Sequence, residues 1–284
     1  MPTYLAKVLI TGSEGQLGSA LYHHPLAAHF KLVGCTRQEM DITDANAIEQ
    51  AIISLAPDII INTAAYTMVD RAEQEIEKAE HINHFGAHTL ASACHNHGIP
   101  LIHLSTDYVF DGEKGRPYLE DDATHPINYY GKTKCLGEIA VRAQQTQHII
   151  LRVSGVFSEY GTNFLKTMLR LVQEKKALRV IADQMTCPTY AGDIAKAVYT
   201  MLMQPLHFGT YHFCSLMPVT WHQFATAILN QPIQAITSAD YPTAAKRPVH
   251  SVLDCSKIQS DYGIMQPSWE IAIKTVLTLL SKEK

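Results

Sequence analysis

The sequence contains no apolar run near the roughly 20 residues a bilayer-crossing helix needs, so no membrane partner is expected. It has no excess of positive charge: 23 Lys and Arg stand against 27 Asp and Glu, a formal net charge of −4. Nucleic-acid binding requires a clustered basic surface, and none is expected here. No Cys-x-x-Cys pair occurs. The six cysteines, Cys35, Cys94, Cys135, Cys187, Cys214 and Cys255, are scattered in a spacing that matches no zinc site, and a chain of this size does not need disulfides. They read as reduced packing residues. There is no internal repeat and no low-complexity linker. The first residues pass into a β-like run without the apolar core of a secretory signal, and a cytoplasmic protein is expected. What remains is an ordinary globular composition, 46% hydrophobic and 18% charged in 284 residues. At roughly 100–200 residues per domain, that is one large domain or one domain with a smaller companion.

The first two thirds alternates short apolar runs with amphipathic stretches, the pattern of βαβ units around a parallel sheet. Strands are expected at 7–11, 31–36, 58–62, 100–105 and 148–153, and helices at 16–23, 44–55, 70–97 and 129–143. Residues 107–129, rich in Gly, Pro and acids, read as a long surface loop, and loops of that length are often functional. Beyond 153 the rhythm loosens: helices are expected at 163–174, 192–203, 221–229 and 269–281, with strands at 178–181 and 209–214. The expected fold is α/β, a Rossmann-type doubly wound parallel sheet with a smaller α/β C-terminal substrate-binding region. Residues 1–153 would form the dinucleotide-binding part, with returning elements near 178–203, and 154–284 mainly the substrate-binding part. His81, His84 and His88 would share one face of the 70–97 helix. Without a cysteine or an organised carboxylate shell beside them, they read as a polar or interfacial face, and no metal is expected.

Gly12-Ser13-Glu14-Gly15-Gln16-Leu17-Gly18 joins the first strand to the first helix. In that position one glycine permits the sharp turn, another a close approach to a pyrophosphate, and the third close packing of helix on strand. The helix start adds free N–H groups and a positive dipole end. At the end of the second strand stands Arg37, whose planar fork suits a 2′-phosphate. NADPH is therefore the expected cofactor, with NADH a second choice if Glu39 contacts the ribose. Tyr130 and Lys134 lie four apart at the start of a helix and project from one face. An ammonium beside a phenol stabilises the phenolate and makes it a better acid at neutral pH. Ser105 and Thr106 leave the fourth strand at its carboxyl end, where a hydroxyl can hold a carbonyl oxygen toward Tyr130. Hydride cofactor, proton donor and polarised carbonyl together imply reversible ketone–alcohol reduction.

The glycine loop, Asn62-Thr63-Ala64-Ala65-Tyr66, Ser105-Thr106-Asp107-Tyr108-Val109-Phe110-Asp111-Gly112 and the Tyr130/Lys134 pair resemble the extended short-chain dehydrogenase/reductases. Within them the chain is most similar to the dTDP-4-dehydrorhamnose reductase family, a likeness continued by Asn163-Phe164, Asp183-Gln184, Pro188-Thr189 and Arg247-Pro248. The resemblance implies reduction by NADPH of the C4 ketone of dTDP-4-dehydro-L-rhamnose to dTDP-L-rhamnose. Tyr130 would be the proton donor, Thr106 would orient the carbonyl, and Lys134 would tune Tyr130 and hold the ribose. Gly12, Gly15, Gln16, Leu17, Arg37, Asp41, Ile42, Ala64, Ala65 and Tyr66 would bind cofactor together with Tyr130 and Lys134. Thr106, Asp107, Tyr108, Asn163 and Arg247 would meet the nucleotide-sugar, with Arg247 at the diphosphate.

Three positions depart from that family's pattern: Gly155 where Trp is usual, Thr186 where Gly is usual and His250 where Asn is usual. Ala20 stands where some members place a metal-binding glutamate, again implying no metal. Two alternatives follow. One is a reductase of a different nucleotide-linked keto-sugar. The other is a non-catalytic NADP-binding subunit, like the regulatory subunit of methionine adenosyltransferase. A third possibility, an epimerase or dehydratase, would retain tightly bound NAD through its cycle. Dehydration also needs a further acid/base pair, for which Asp107 could supply an acid, but Tyr108 rather than a glutamate follows it. A homodimer is the expected assembly by analogy with the superfamily.

Overall fold

The computed structural model describes residues 5–282. Chain order runs β1 (Lys7–Thr11), α1 (Gln16–His23), β2 (Lys31–Cys35), α2 (Ala45–Leu55), β3 (Ile59–Asn62), α3 (Val69–Ala72) and α4 (Ile76–Glu80). It continues through α5 (Ala87–Asn96), β4 (Leu101–Thr106), α6 (Tyr129–Gln144), β5 (His148–Val153), β6 (Val156–Phe157) and α7 (Phe164–Gln173). The remaining elements are β7 (Arg179–Ile181), β8 (Met185–Thr186), β9 (Thr189–Tyr190), α8 (Ala191–Leu202), β10 (Gly209–Phe213), β11 (Val219–Thr220), α9 (Trp221–Leu229), β12 (Gln234–Ile236), α10 (Ser256–Tyr262) and α11 (Trp269–Lys282).

Six strands form one parallel sheet in the order β10-β5-β4-β3-β1-β2. Val8, Leu9 and Ile10 in β1 and Ile59, Ile60 and Ile61 in β3 are all buried, without alternation, because helices cover both faces. Leu21, Ile194, Val198 and Tyr199 pack one face; Ile48, Ile52, Leu90 and Ala91 pack the other. The strand order reverses at β1: the chain moves out to β2, then crosses back to β3 on the far side of β1. The loops after β1 and β3 therefore part and leave a crevice at the carboxyl end of the sheet, where ligands of open α/β folds bind.

Two expectations change. The helix expected over 70–97 is broken: α3 ends in a turn in which Gln74 N–H and Glu75 N–H both donate to the Arg71 carbonyl, and α4 passes into a wide π-turn at His81–Gly86. The wide turn swings Asn83 inward, where its side chain bonds both backbone groups of Tyr66 and the Thr133 hydroxyl. The even helical spacing of His81, His84 and His88 is lost with it. Among the described residues no group of three or more His, Cys, Asp or Glu is placed to hold a metal ion. Second, the return to the main layer runs further than expected: α8, inside the 178–203 stretch, packs on α1, and β10, beyond that stretch, pairs with β5. The rest of the C-terminal part has its own core of Phe157, Leu165, Phe224, Trp269, Ile273 and Val276.

The 107–129 loop is tied down. Asp107–Val109 forms a single 3₁₀ turn, the rings of Phe110 and Tyr118 stack 4.1 Å apart, and Tyr118 exchanges backbone hydrogen bonds with Val252 and Asp254. The C-terminal chain is thus fastened beside the ends of β4 and β5.

Candidate active site

The crevice is lined by Gly12, Glu14, Gly15, Thr36, Arg37, Met40, Asp41, Ile42, Thr63, Ala64, Ala65 and Ile82. Gly12 has φ +64°, and a Cβ there would lie 2.8 Å from the Ala64 Cα, so the two loops approach as only glycine allows. Gly15 caps α1 without a side chain, which leaves the first N–H groups of the helix free for a ligand's oxygens. On the opposite rim the exposed Arg37 is tethered by its Nε to Asp41 Oδ2 at 3.1 Å. Asp41 is itself fixed by Thr43 N–H and hydroxyl at 2.9 and 2.7 Å. Seven of the expected cofactor residues, Gly12, Gly15, Arg37, Asp41, Ile42, Ala64 and Ala65, thus share one cleft. Leu17 packs into the core instead, and the Tyr66 ring lies against Ala72 and Ala79 with Lys78 above it. Gln16 accepts hydrogen bonds from Asn163 at 2.9 Å and Ser158 at 3.1 Å.

Next to the cleft, β4 delivers Thr106 and α6 delivers Tyr130. Asn128 starts α6: its Oδ1 accepts from Gly131 N–H at 2.8 Å, and its Nδ2 donates to the Lys246 carbonyl. Gly131 lets the helix press on the loop, since a Cβ there would stand 2.1 Å from the Tyr108 carbonyl oxygen. The Tyr130 phenol lies beside the Thr106 hydroxyl; burial pushes it up to about 12, and the hydroxyl pulls the other way. Its ring meets Tyr108 edge-on at 5.9 Å. Lys134, one turn on, donates to the Leu104 carbonyl at 2.6 Å, and burial brings its ammonium down to about 8. Asp107 is 2% exposed and turned into the protein, accepting from Thr106, Ser154 and Ser251 hydroxyls. Burial raises it to about 6, against the pull of these hydroxyls.

The remaining substrate candidates already have partners. Arg247 makes a two-pronged pair with Asp70 of α3, at 3.0 and 2.6 Å, donates to the Ala245 carbonyl and lies close to Tyr108. Asn163 caps α7 through Lys166 N–H and donates to Gln16. Gly155 has φ +54°, and a Cβ there would be 3.1 Å from both the Thr186 hydroxyl and the Pro188 Cα. Met185, beside Thr186, bridges to His250, so the three departures from the family pattern meet on one wall. Asp70, Ser154 and Ser251 were not expected at the site. Asp70 and Ser251 reach it across 177 and 144 residues of chain, a closeness no local motif encodes. Thr63 stood inside a quoted motif, and its hydroxyl donates to the Thr11 carbonyl at 2.6 Å.

A parallel sheet with a glycine loop at its point of reversal, and a tyrosine on a threonine at the same end, defines a Rossmann-type dinucleotide-dependent oxidoreductase. Comparison with known proteins gives a narrower placement. Residues 6–282 match the family model described as RmlD substrate binding domain. The chain is 41% identical to dTDP-4-dehydrorhamnose reductase of Aggregatibacter actinomycetemcomitans, over 96% of this chain and 98% of the relative. It is 37% identical to the spore coat polysaccharide biosynthesis protein SpsK of Bacillus subtilis (strain 168), over 96% and 97%. The crystal structure of dTDP-4-dehydrorhamnose reductase from Bacillus anthracis str. Ames in complex with NADP superposes with a TM-score of 0.92 at 33% identity, covering 97% of this chain and 99% of that one. The chain belongs to the RmlD substrate-binding-domain family.

Proposed function

We propose that the protein reduces the C4 ketone of dTDP-4-dehydro-L-rhamnose to dTDP-L-rhamnose, with NADPH as the cofactor. The observation that carries this is Tyr130 standing beside Thr106 next to the glycine-loop cleft. The names of the relatives supply the sugar. The cleft suits the dinucleotide: Gly12 and Ala64 leave room for a pyrophosphate against bare backbone, and Arg37 stands where a 2′-phosphate would end. When bound, the dinucleotide supplies the hydride.

The chain's own residues do the rest. Thr106 and Tyr130 grip the ketone oxygen, and Tyr130 Oη gives it a proton. Lys134 holds the ribose edge and, once drawn from the Leu104 carbonyl toward Tyr130, eases loss of the phenolic proton. Arg247 exchanges one prong of Asp70 for the diphosphate of the nucleotide-sugar. Tyr108 walls the sugar on one side.

The test is oxidation of NADPH with freshly prepared dTDP-4-dehydro-L-rhamnose, with NADH run in parallel. Turnover favouring NADPH is expected. Tight cofactor binding without turnover on this sugar overturns the assignment. A second reading, another nucleotide-linked keto-sugar, is favoured by the wall at Gly155 and Thr186, and turnover with such a sugar alone would select it.

A further inference from the structure

A threonine hydroxyl has one proton to give and two lone pairs to receive. At Thr106 the proton and one lone pair are in use. Tyr108 N–H donates to Oγ1 at 3.1 Å, and the threonine's own proton goes to Asp107 Oδ1 at 3.2 Å, with the Tyr130 phenol alongside. The second Asp107 oxygen, Oδ2, is taken by Ser154 Oγ at 3.0 Å and by Ser251 Oγ. An ionised Asp107 therefore holds the one proton that Thr106 could offer a ketone.

We infer that Asp107 is a positioning residue that works as the neutral acid: protonated at Oδ1, it donates to Thr106 Oγ1 and so turns the threonine proton toward the substrate's carbonyl oxygen. The inference rests on the reading of Thr106 and Tyr130 as the pair that grips the ketone. No bond to carbon is made or broken by Asp107. It takes one proton from solvent and keeps it through the cycle, and the proton that reaches the product is that of Tyr130.

The surroundings favour the acid form. Asp107 forms no ion pair among the described residues, and the hydroxyls of Thr106, Ser154 and Ser251, which favour the carboxylate, offset burial only in part. The titratable groups facing it are phenols, Tyr108 from its own turn and Tyr130 from α6. Arg247 and Asp70 lie behind Tyr108 and neutralise each other. Lys134 of α6 is turned to Leu104, and on the C-terminal segment His250 adjoins Ser251. Burial, the largest influence, raises the carboxyl into the range where enzymes are assayed.

The experiment is kcat/KM of the full chain with NADPH and the keto-sugar from pH 5 to 9, for wild type, Asp107→Asn and Ser154→Ala. In the wild type kcat/KM falls as pH rises, about tenfold per unit once the acid is mostly ionised. Asp107→Asn presents a permanent N–H donor to Thr106 and a carbonyl to both serines. It turns over without that fall, so its ratio to wild type grows by about tenfold per pH unit. Ser154→Ala removes a hydrogen bond that favours the carboxylate, and the fall moves to higher pH. A flat wild-type profile overturns the inference, as does an Asp107→Asn enzyme that binds NADPH yet is inactive. So does a fall that persists in Asp107→Asn, which would belong to Lys134, or one that Ser154→Ala leaves in place. Thr106→Ala and Tyr130→Phe run alongside: full turnover in both would sink the underlying reading instead.

Discussion

In the proposed reaction Tyr130 is a weak acid that the site must make usable. In the free protein burial holds its proton tightly, and the neighbouring Thr106 hydroxyl only partly offsets this. In that proposed step, a ketone oxygen gaining negative charge between Thr106 and Tyr130 would reverse the balance, because the proton would then move to a stronger base. Tyr130→Phe keeps the ring and its edge-on contact with Tyr108 and removes only the proton. We expect kcat to fall by about 10²- to 10⁴-fold with NADPH affinity unchanged; wild-type turnover would remove Tyr130 from the chemistry. Arg37 acts on the opposite rim. Its Nε is tied to Asp41 while the side chain stays exposed, so its outer nitrogens can meet a 2′-phosphate at little ordering cost. Arg37→Ala should weaken NADPH by roughly 10- to 100-fold and barely affect NADH. Equal losses in a fluorescence titration would show that it does not read the phosphate.

Among the elements, α6 carries Tyr130 and Lys134, and its place depends on two missing side chains. A Cβ on Gly131 would meet the Tyr108 carbonyl at 2.1 Å, and one on Gly137 would meet the Asn83 carbonyl at 2.2 Å. Both obstacles are backbone, so neither can swing aside. Gly131→Ala should push the first turn of α6 off the β4 turn. A loss of about 1–3 kcal/mol in urea unfolding is expected, and kcat should fall more than NADPH affinity because Tyr130 is the adjoining residue. Wild-type stability and turnover would mean that α6 does not need this contact. The same helix shows what the sequence discloses. Its start, the five strands before residue 154 and the glycine loop were legible because apolar runs, caps and glycines are local signals. The break of 70–97 was not. Its amphipathic pattern runs on, and the wide turn is settled by Asn83 reaching Tyr66 and Thr133, one 17 and the other 50 residues away. Arg247 was legible as a cation near the site, but not its hold on Asp70, which only the folded chain provides.

Across the whole molecule, a buried knot of charge fastens the sheet to its returning segment. Glu138 of α6 accepts from Arg152 of β5 at 2.9 and 2.7 Å and from Ser105 of β4 at 2.6 Å. Arg152 then donates to His212 Nε2 of β10 at 3.2 Å, while His212 Nδ1 meets the Tyr118 carbonyl in the long loop. Burial alone would raise Glu138, but the Arg152 hydrogen bonds and charge outweigh it and hold the carboxyl near about 2. His212 is lowered to about 3, by burial first and then by the Arg152 guanidinium. An unfolded chain titrates these groups near roughly 4.3 and 6.5. In both cases the unfolded state takes up protons before the folded one, so stability falls as pH falls: from about 6.5 downward for His212, and from about 4.3 toward 2 for Glu138. Asp107, raised to about 6, acts in the opposite sense between roughly 6 and 3.9 and softens the middle of the decline. Glu138→Gln leaves Arg152 buried without its countercharge and should cost about 3–5 kcal/mol at pH 7. It should also flatten the decline below about pH 4.3, since the group responsible is gone. Urea midpoints for both proteins from pH 7 to 3 would test this. An unchanged midpoint at pH 7, or a decline just as steep in the variant, would show that the knot does not hold β10 to the sheet.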